Sequence, residues 1–226
     1  MSAVPGLTVE AYFPDRELAS QVESFLIVRS ERGAIRTLPP NTAPVLVFRL
    51  EGTTTELVSD GETAIPRIGL TGLNRSPRVI RYHRHSAMLL VRFREGGAAG
   101  IVSAPMDELT GRSSGLDSLT DPHVVREVED RLHEARGDAE RIAVVQNFLK
   151  SRSPERSVDR LIEEAIRRIR HSRGNIGIGE LVYGLATNPD TLEKKFRHVV
   201  GATPKLFSRM VKFQSFLHDY STPANL

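Results

Sequence analysis

LATNPDTLEKKFRHVVGATP, Leu185 to Pro204, decides how the C-terminal third of this chain is read. Asn188 is a strong helix cap, and Pro189 is tolerated at the first helical position, where no backbone hydrogen bond is lost. At about 100° per residue, Leu192, Phe196, Val199 and Val200 fall on one side of the helix that follows. Asp190, Glu193, Lys194 and Arg197 fall within about 100° of one another on the other side. The spacing therefore predicts a two-faced helix with an apolar face for a core and a compact polar strip about two turns long.

Outward from this stretch the pattern stays helical. A short helix is expected from about Ile178 to Leu185, a longer one with Val158, Leu161, Ile162, Ala165, Ile166 and Ile169 on one face, capped by Ser157 and stopped by Gly174, and a last one starting at Thr203-Pro204 with Leu206, Met210, Phe213 and Leu217 inward. A short helix, a tight turn and a second amphipathic helix make a helix-turn-helix, whose second helix fits the major groove of DNA. The acids in the strip are compatible with that use, because Glu accepts a hydrogen bond from the cytosine amino group or holds a neighbouring cation. A helical hairpin with a solvated face fits the same pattern.

Composition narrows the choice. The chain has 226 residues, no cysteine and a net charge of +3. Disulfides, zinc fingers, iron–sulfur clusters and thiol catalysis are excluded, and a cytoplasmic location is expected. No apolar run approaches a membrane span, and MSAVPGLTVEAYFPD lacks the organisation of a signal peptide. The charge is uneven: Glu155 to His218 carries 12 Lys and Arg against 7 Asp and Glu, or +5, leaving −2 for the rest. A basic tail on a near-neutral body is a pattern of nucleic-acid-binding modules.

The first hundred residues differ in kind. Val45–Leu50, Arg78–His83 and Ala87–Phe93 read as strands, the last buried on both faces, and their spacing points to a small sandwich or barrel. Helices follow at about 121–135, with Asp121 as cap and Pro122 first, and at 138–151, capped by Asp138. Ser151 to Glu155 reads as a linker. The expected fold class is α+β, with residues 1–152 as one domain and 156–226 as a second, all-α one.

Other chemistry finds little support. His83 and His85 have the spacing that sets two imidazoles on one face of a strand, as in metal-binding cupins, but His123, His133, His171, His198 and His218 all fall in expected helices and offer no evident third ligand. Gly96-Gly97-Ala98-Ala99-Gly100 lacks the Lys-Ser/Thr of a phosphate-binding loop and reads as a tight turn with close backbone packing. Ser103, Ser113 and Ser114 lack a nucleophile context. Asp107-Glu108 reads as the first turn of a short helix after Pro105. No catalytic residue, cofactor or metal is assigned.

The string IGIGELVYGLATNPDTLEKKFRHVVGATPKLFSRMVKFQSFL resembles the first helix-turn-helix of AraC-type transcription regulators. Ile178, Leu181, Leu192, Phe196, Gly201 and Pro204 hold the matching positions. Lys194 stands at the usual Arg, Val182 at a usual Ala, Asn188 at the capping Ser and Ala186 where such turns often carry Gly. LPPNTAPVLVF, TGLNRSPRVIRY and LLVRFREGGAAGIVSAPMDELT resemble a branch of this family with a cupin-like sensor domain. The resemblance implies base-facing roles for Asp190, Glu193 and Lys194 and phosphate contacts for Lys195 and Arg197. It implies double-stranded DNA as partner, an N-terminal domain for sensing a small molecule or for homodimerisation, and no enzymatic activity. It also implies a second helix-turn-helix, for which no room remains before Leu226, so the chain reads as a regulator truncated after the first unit, with weakened DNA affinity. A metal-dependent cupin enzyme and a protein-interaction module are the alternatives.

Overall fold

The computed structural model describes residues 5–102, 104–152 and 159–221. Ten strands come first: β1 (Thr8–Tyr12), β2 (Val22–Ser30), β3 (Ala34–Leu38), β4 (Val45–Glu51), β5 (Thr54–Val58), β6 (Gly61–Ala64), β7 (Ile68–Thr71), β8 (Arg78–Tyr82), β9 (Ser86–Phe93) and β10 (Ser113–Gly115). They form a six-stranded sheet in the order β1-β2-β9-β4-β7-β10 and a four-stranded sheet in the order β3-β8-β5-β6. Every pairing is antiparallel.

The larger sheet is buried on both faces. Leu26, Val28, Val47 and Met88 point to one side and meet Ile80 and Tyr82 of the smaller sheet. Their neighbours Phe25, Ile27, Leu46, Phe48, Leu89 and Val91 point to the other side and meet two helices, α1 (Pro122–Glu134) and α2 (Asp138–Arg152). A strand covered on both sides needs apolar residues at successive positions, which accounts for the near-continuous run in β9. Phe48 and Phe148 meet edge to face across this layer, with centroids 6.5 Å apart.

Asp121 caps α1 as the sequence predicts, accepting from the His123 amide at 2.9 Å. Asp138 instead lies inside α2, and its carboxylate pairs with Arg29 (2.5 Å) and Arg141 (3.5 Å). Gly97 makes the close approach expected of its turn: a Cβ there would lie 2.1 Å from the Gln21 carbonyl oxygen.

The remaining helices are α3 (Arg160–His171), α4 (Ile178–Gly184), α5 (Pro189–Val200) and α6 (Pro204–Ser221). Of the expected linker, Ser151 and Arg152 belong to α2, and positions 153–155 lie outside the described residues, as do Ser157 and Val158. The observed cap of α3 is Asp159, whose carboxylate accepts from the Leu161 amide at 2.9 Å. Gly174 ends the turn after α3 with φ 76°, its amide bonded to the Ile169 carbonyl.

The inward face of α6 differs from expectation. Phe207, Met210 and Val211 are buried, whereas Phe213 is 46% exposed. Phe207 packs against Phe196 of α5, centroids 5.4 Å apart, while Leu206 is partly buried against the same core as expected.

Candidate nucleic-acid interface

The pair α4 and α5 is built around a short, strained connection. Ala186 adopts φ 49°, a left-handed conformation that costs an alanine about 1–2 kcal/mol. The turn closes where Asn188 caps α5, its Oδ1 accepting from the Thr191 amide at 2.8 Å. Gly201 at φ 88° terminates α5, and its amide donates to the Arg197 carbonyl. Helix orientation is then set by burial: Leu181 of α4 and Leu192, Phe196 and Val200 of α5 share a core with Ile162, Ala165 and Ile169 of α3.

With that face committed, the opposite one must face outward. Asp190, Glu193, Lys194, Lys195 and Arg197 are all exposed. The first three, with Arg197, form the predicted strip. Among the described residues, none of Asp190, Glu193 and Lys194 takes an ion pair. Tyr183, at the end of α4, is 90% exposed.

Lys195 and Arg197 are engaged. The Lys195 ammonium donates to Asp159 at 2.7 Å, which ties α5 to the start of α3 and holds the Asp159 carboxyl below the usual carboxylate range. The Arg197 guanidinium meets one Asp107 oxygen through Nε at 3.2 Å and Nη2 at 3.1 Å. Asp107 lies on a 3-10 turn, Met106–Leu109, between β9 and β10, as its position after Pro105 predicts. The strip on α5 thus becomes one wall of an open groove of about 980 Å³, with Pro105, Asp107 and Asp159 on the other side. The periodicity of α5 locates the strip but carries no sign of either carboxylate.

A second seam joins the helices to the sheets. The Arg170 guanidinium, at the end of α3, donates to Thr42 at 2.7 Å and to Glu95, and lies 5.9 Å from the Phe207 ring centroid. Gln214 of α6 donates to the Pro40 carbonyl at 3.3 Å.

The histidine pair does not share a strand face. β8 ends at Tyr82, so His83 and His85 occupy the turn that follows, with His85 at φ 52°. His83 Nε2 lies 3.3 Å from Thr55 Oγ1, and His85 Nδ1 lies 3.5 Å from Glu31, so the imidazoles diverge. Among the described residues, no three His, Asp or Glu side chains are placed to hold a metal ion together. No described helix is long and apolar enough to cross a membrane.

Residues 10–114 match the family model of a domain of unknown function, DUF6597. No curated protein matches the sequence. Solved structures similar to the chain include apo ToxT K231A from Vibrio cholerae, at 9% identity over 98% of this chain and 85% of that one, with a TM-score of 0.43. The AraC-like transcriptional activator CuxR matches at 13% identity over 94% and 87%, with a TM-score of 0.37. The cupin domain of an XRE family transcriptional regulator from Enterobacter cloacae matches 39% of this chain and 96% of its own at 10% identity, with a TM-score of 0.28.

Proposed function

We propose that this chain is a cytoplasmic, sequence-specific DNA-binding transcription regulator of the AraC type. In this reading residues 156–226 carry the DNA-reading unit, and residues 1–152 form a cupin-like unit that senses a small molecule or mediates homodimerisation. One observation carries the reading: α4, the Ala186 turn and α5 form a helix-turn-helix that leaves Asp190, Glu193 and Lys194 unpaired on the outer face of its second helix. A helix presented this way enters the major groove, where such side chains meet base edges. Lys194 is the base-reading cation, Glu193 accepts from an exposed amino group or steadies Lys194, and Lys195 and Arg197 serve phosphates.

The test is selection from a randomised duplex pool by the purified protein, followed by affinity measurement on the enriched sequence at fixed salt. Lys194→Ala is expected to weaken binding by about tenfold and to relax the preference at one or two base pairs. A pool that emerges without enrichment, or one read identically by the Lys194→Ala variant, would overturn the assignment of this face.

A further inference from the structure

The two phosphate-directed cations on α5 are not held in the same way. Lys195 is bound by Asp159, which belongs to the same helical unit and travels with it. Arg197 is bound by Asp107, which belongs to the sheet-bearing part of the chain. A carboxylate offers a guanidinium much what a phosphate does, a delocalised anion with two accepting oxygens.

Asp107 is also fixed in place. Thr110, just after the 3-10 turn, donates its hydroxyl to the Gly201 carbonyl at 2.6 Å, at the end of α5. Gly201 lies so close to the turn that a Cβ on it would stand 2.9 Å from the Met106 carbonyl oxygen. Leu73, from the loop after β7, packs against the same point, 3.3 Å from that Cβ position, and is buried in the core of the helical unit. The turn carrying Asp107 is therefore seated on the C-terminal end of the reading helix. A duplex entering the groove brings its phosphates toward Asp107, so the carboxylate both occupies Arg197 and repels the backbone.

We infer that Asp107 is a phosphate surrogate: in the packing seen here it withholds Arg197 from DNA, and movement of the Met106–Leu109 turn away from α5 hands Arg197 to the backbone. The inference rests on the DNA-binding reading above. It makes the seam between sheets and helices the point where an event in the sheet-bearing part would alter DNA affinity. It also sets the size of the effect. The pair is half open to solvent, with Arg197 51% and Asp107 28% exposed, and a pair of this kind biases an equilibrium by a factor of roughly two to five.

The experiment compares the full chain with its Asp107→Asn variant, which keeps the side chain's shape, on a fluorescein-labelled random-sequence duplex across about 50 to 200 mM salt. Asp107→Asn is expected to bind roughly two- to fivefold tighter. Its plot of log affinity against log salt should be steeper, by up to about 0.9, because Arg197 then neutralises a phosphate with no bare carboxylate left beside it. Glu108→Gln removes the same charge one position away and should change neither quantity comparably. Arg197→Ala should shrink the difference between Asp and Asn at position 107 to what repulsion of the backbone alone supplies, and an undiminished difference overturns the gate. Asp107→Ser serves as a second variant if the asparagine protein unfolds. Equal affinity and slope for wild type and both Asp107 variants, with the duplex still bound, overturns the gate alone. A duplex left unbound by every variant at the lowest salt overturns the DNA reading and the gate together.

Discussion

At the scale of single residues, the turn between α4 and α5 carries a cost that its neighbours explain. Ala186 sits at φ 49° because the chain must reverse within the few residues before the Asn188 cap. Glycine adopts that conformation without a steric penalty but has more freedom to lose on folding. The first effect exceeds the second here, so Ala186→Gly should stabilise the protein by up to about 1 kcal/mol, read as a shift in the urea midpoint at unchanged slope. A midpoint lowered by the substitution would show that the left-handed alanine is held by contacts glycine lacks. Gly174 presents the opposite case. It has φ 76°, and a Cβ would lie 2.1 Å from the Ser208 carbonyl oxygen, so neither the backbone angle nor the available space admits a side chain.

At the scale of elements, α3 acts as a strut for the α4–α5 pair. Glu164 accepts from Arg167 at 2.6 Å and from Arg168 at 2.7 Å, and the Arg168 guanidinium lies over Gly184 at the end of α4, where a Cβ would stand 2.2 Å from its Nη1. The Arg167 and Arg168 guanidiniums hold the Glu164 carboxyl at about 2, down from an ordinary 4.5. A depressed folded-state value contributes stability that is present above the unfolded value and fades as pH falls toward the folded one. The melting temperature of wild type should therefore exceed that of Glu164→Gln near neutral pH, and the gap should close between about pH 4.5 and 2. A gap independent of pH would mean that shape, not charge, links Glu164 to its partners. Local features such as the Asn188 cap and the apolar face of α5 were legible in the sequence, because they depend on residues three or four positions apart. The face of α6 was legible in part: Met210 and Leu206 pack on the core as expected, but Phe213 is exposed while Phe207 and Val211 are buried, because spacing alone admits both faces. The pairing of Arg197 with Asp107 joins positions ninety residues apart, and no periodicity encodes such a contact. His83 and His85 do not share a strand face because β8 ends at Tyr82, before either of them.

At the scale of the whole molecule, the helical unit is not an independent appendage in this packing. Leu73 comes from the sheet-bearing part yet is 1% exposed within the core built by α3, α5 and α6, while Arg170 and Gln214 reach back to Glu95, Thr42 and Pro40. The two parts should therefore unfold together. Leu73→Ala is expected to cost about 2–4 kcal/mol and to split a single calorimetric transition into two, with the helical unit melting first. One transition retained at a lowered midpoint would show that the polar seam alone couples them. The placement of the aromatic residues adds a practical consequence. The chain has four tyrosines and no tryptophan, so its ultraviolet emission comes from Tyr12, Tyr82, Tyr183 and Tyr220 alone. Tyr82 is buried between the sheets, whereas Tyr183 projects from α4 and is 90% exposed. The unlabelled protein thus carries a native optical reporter on the helix that precedes α5.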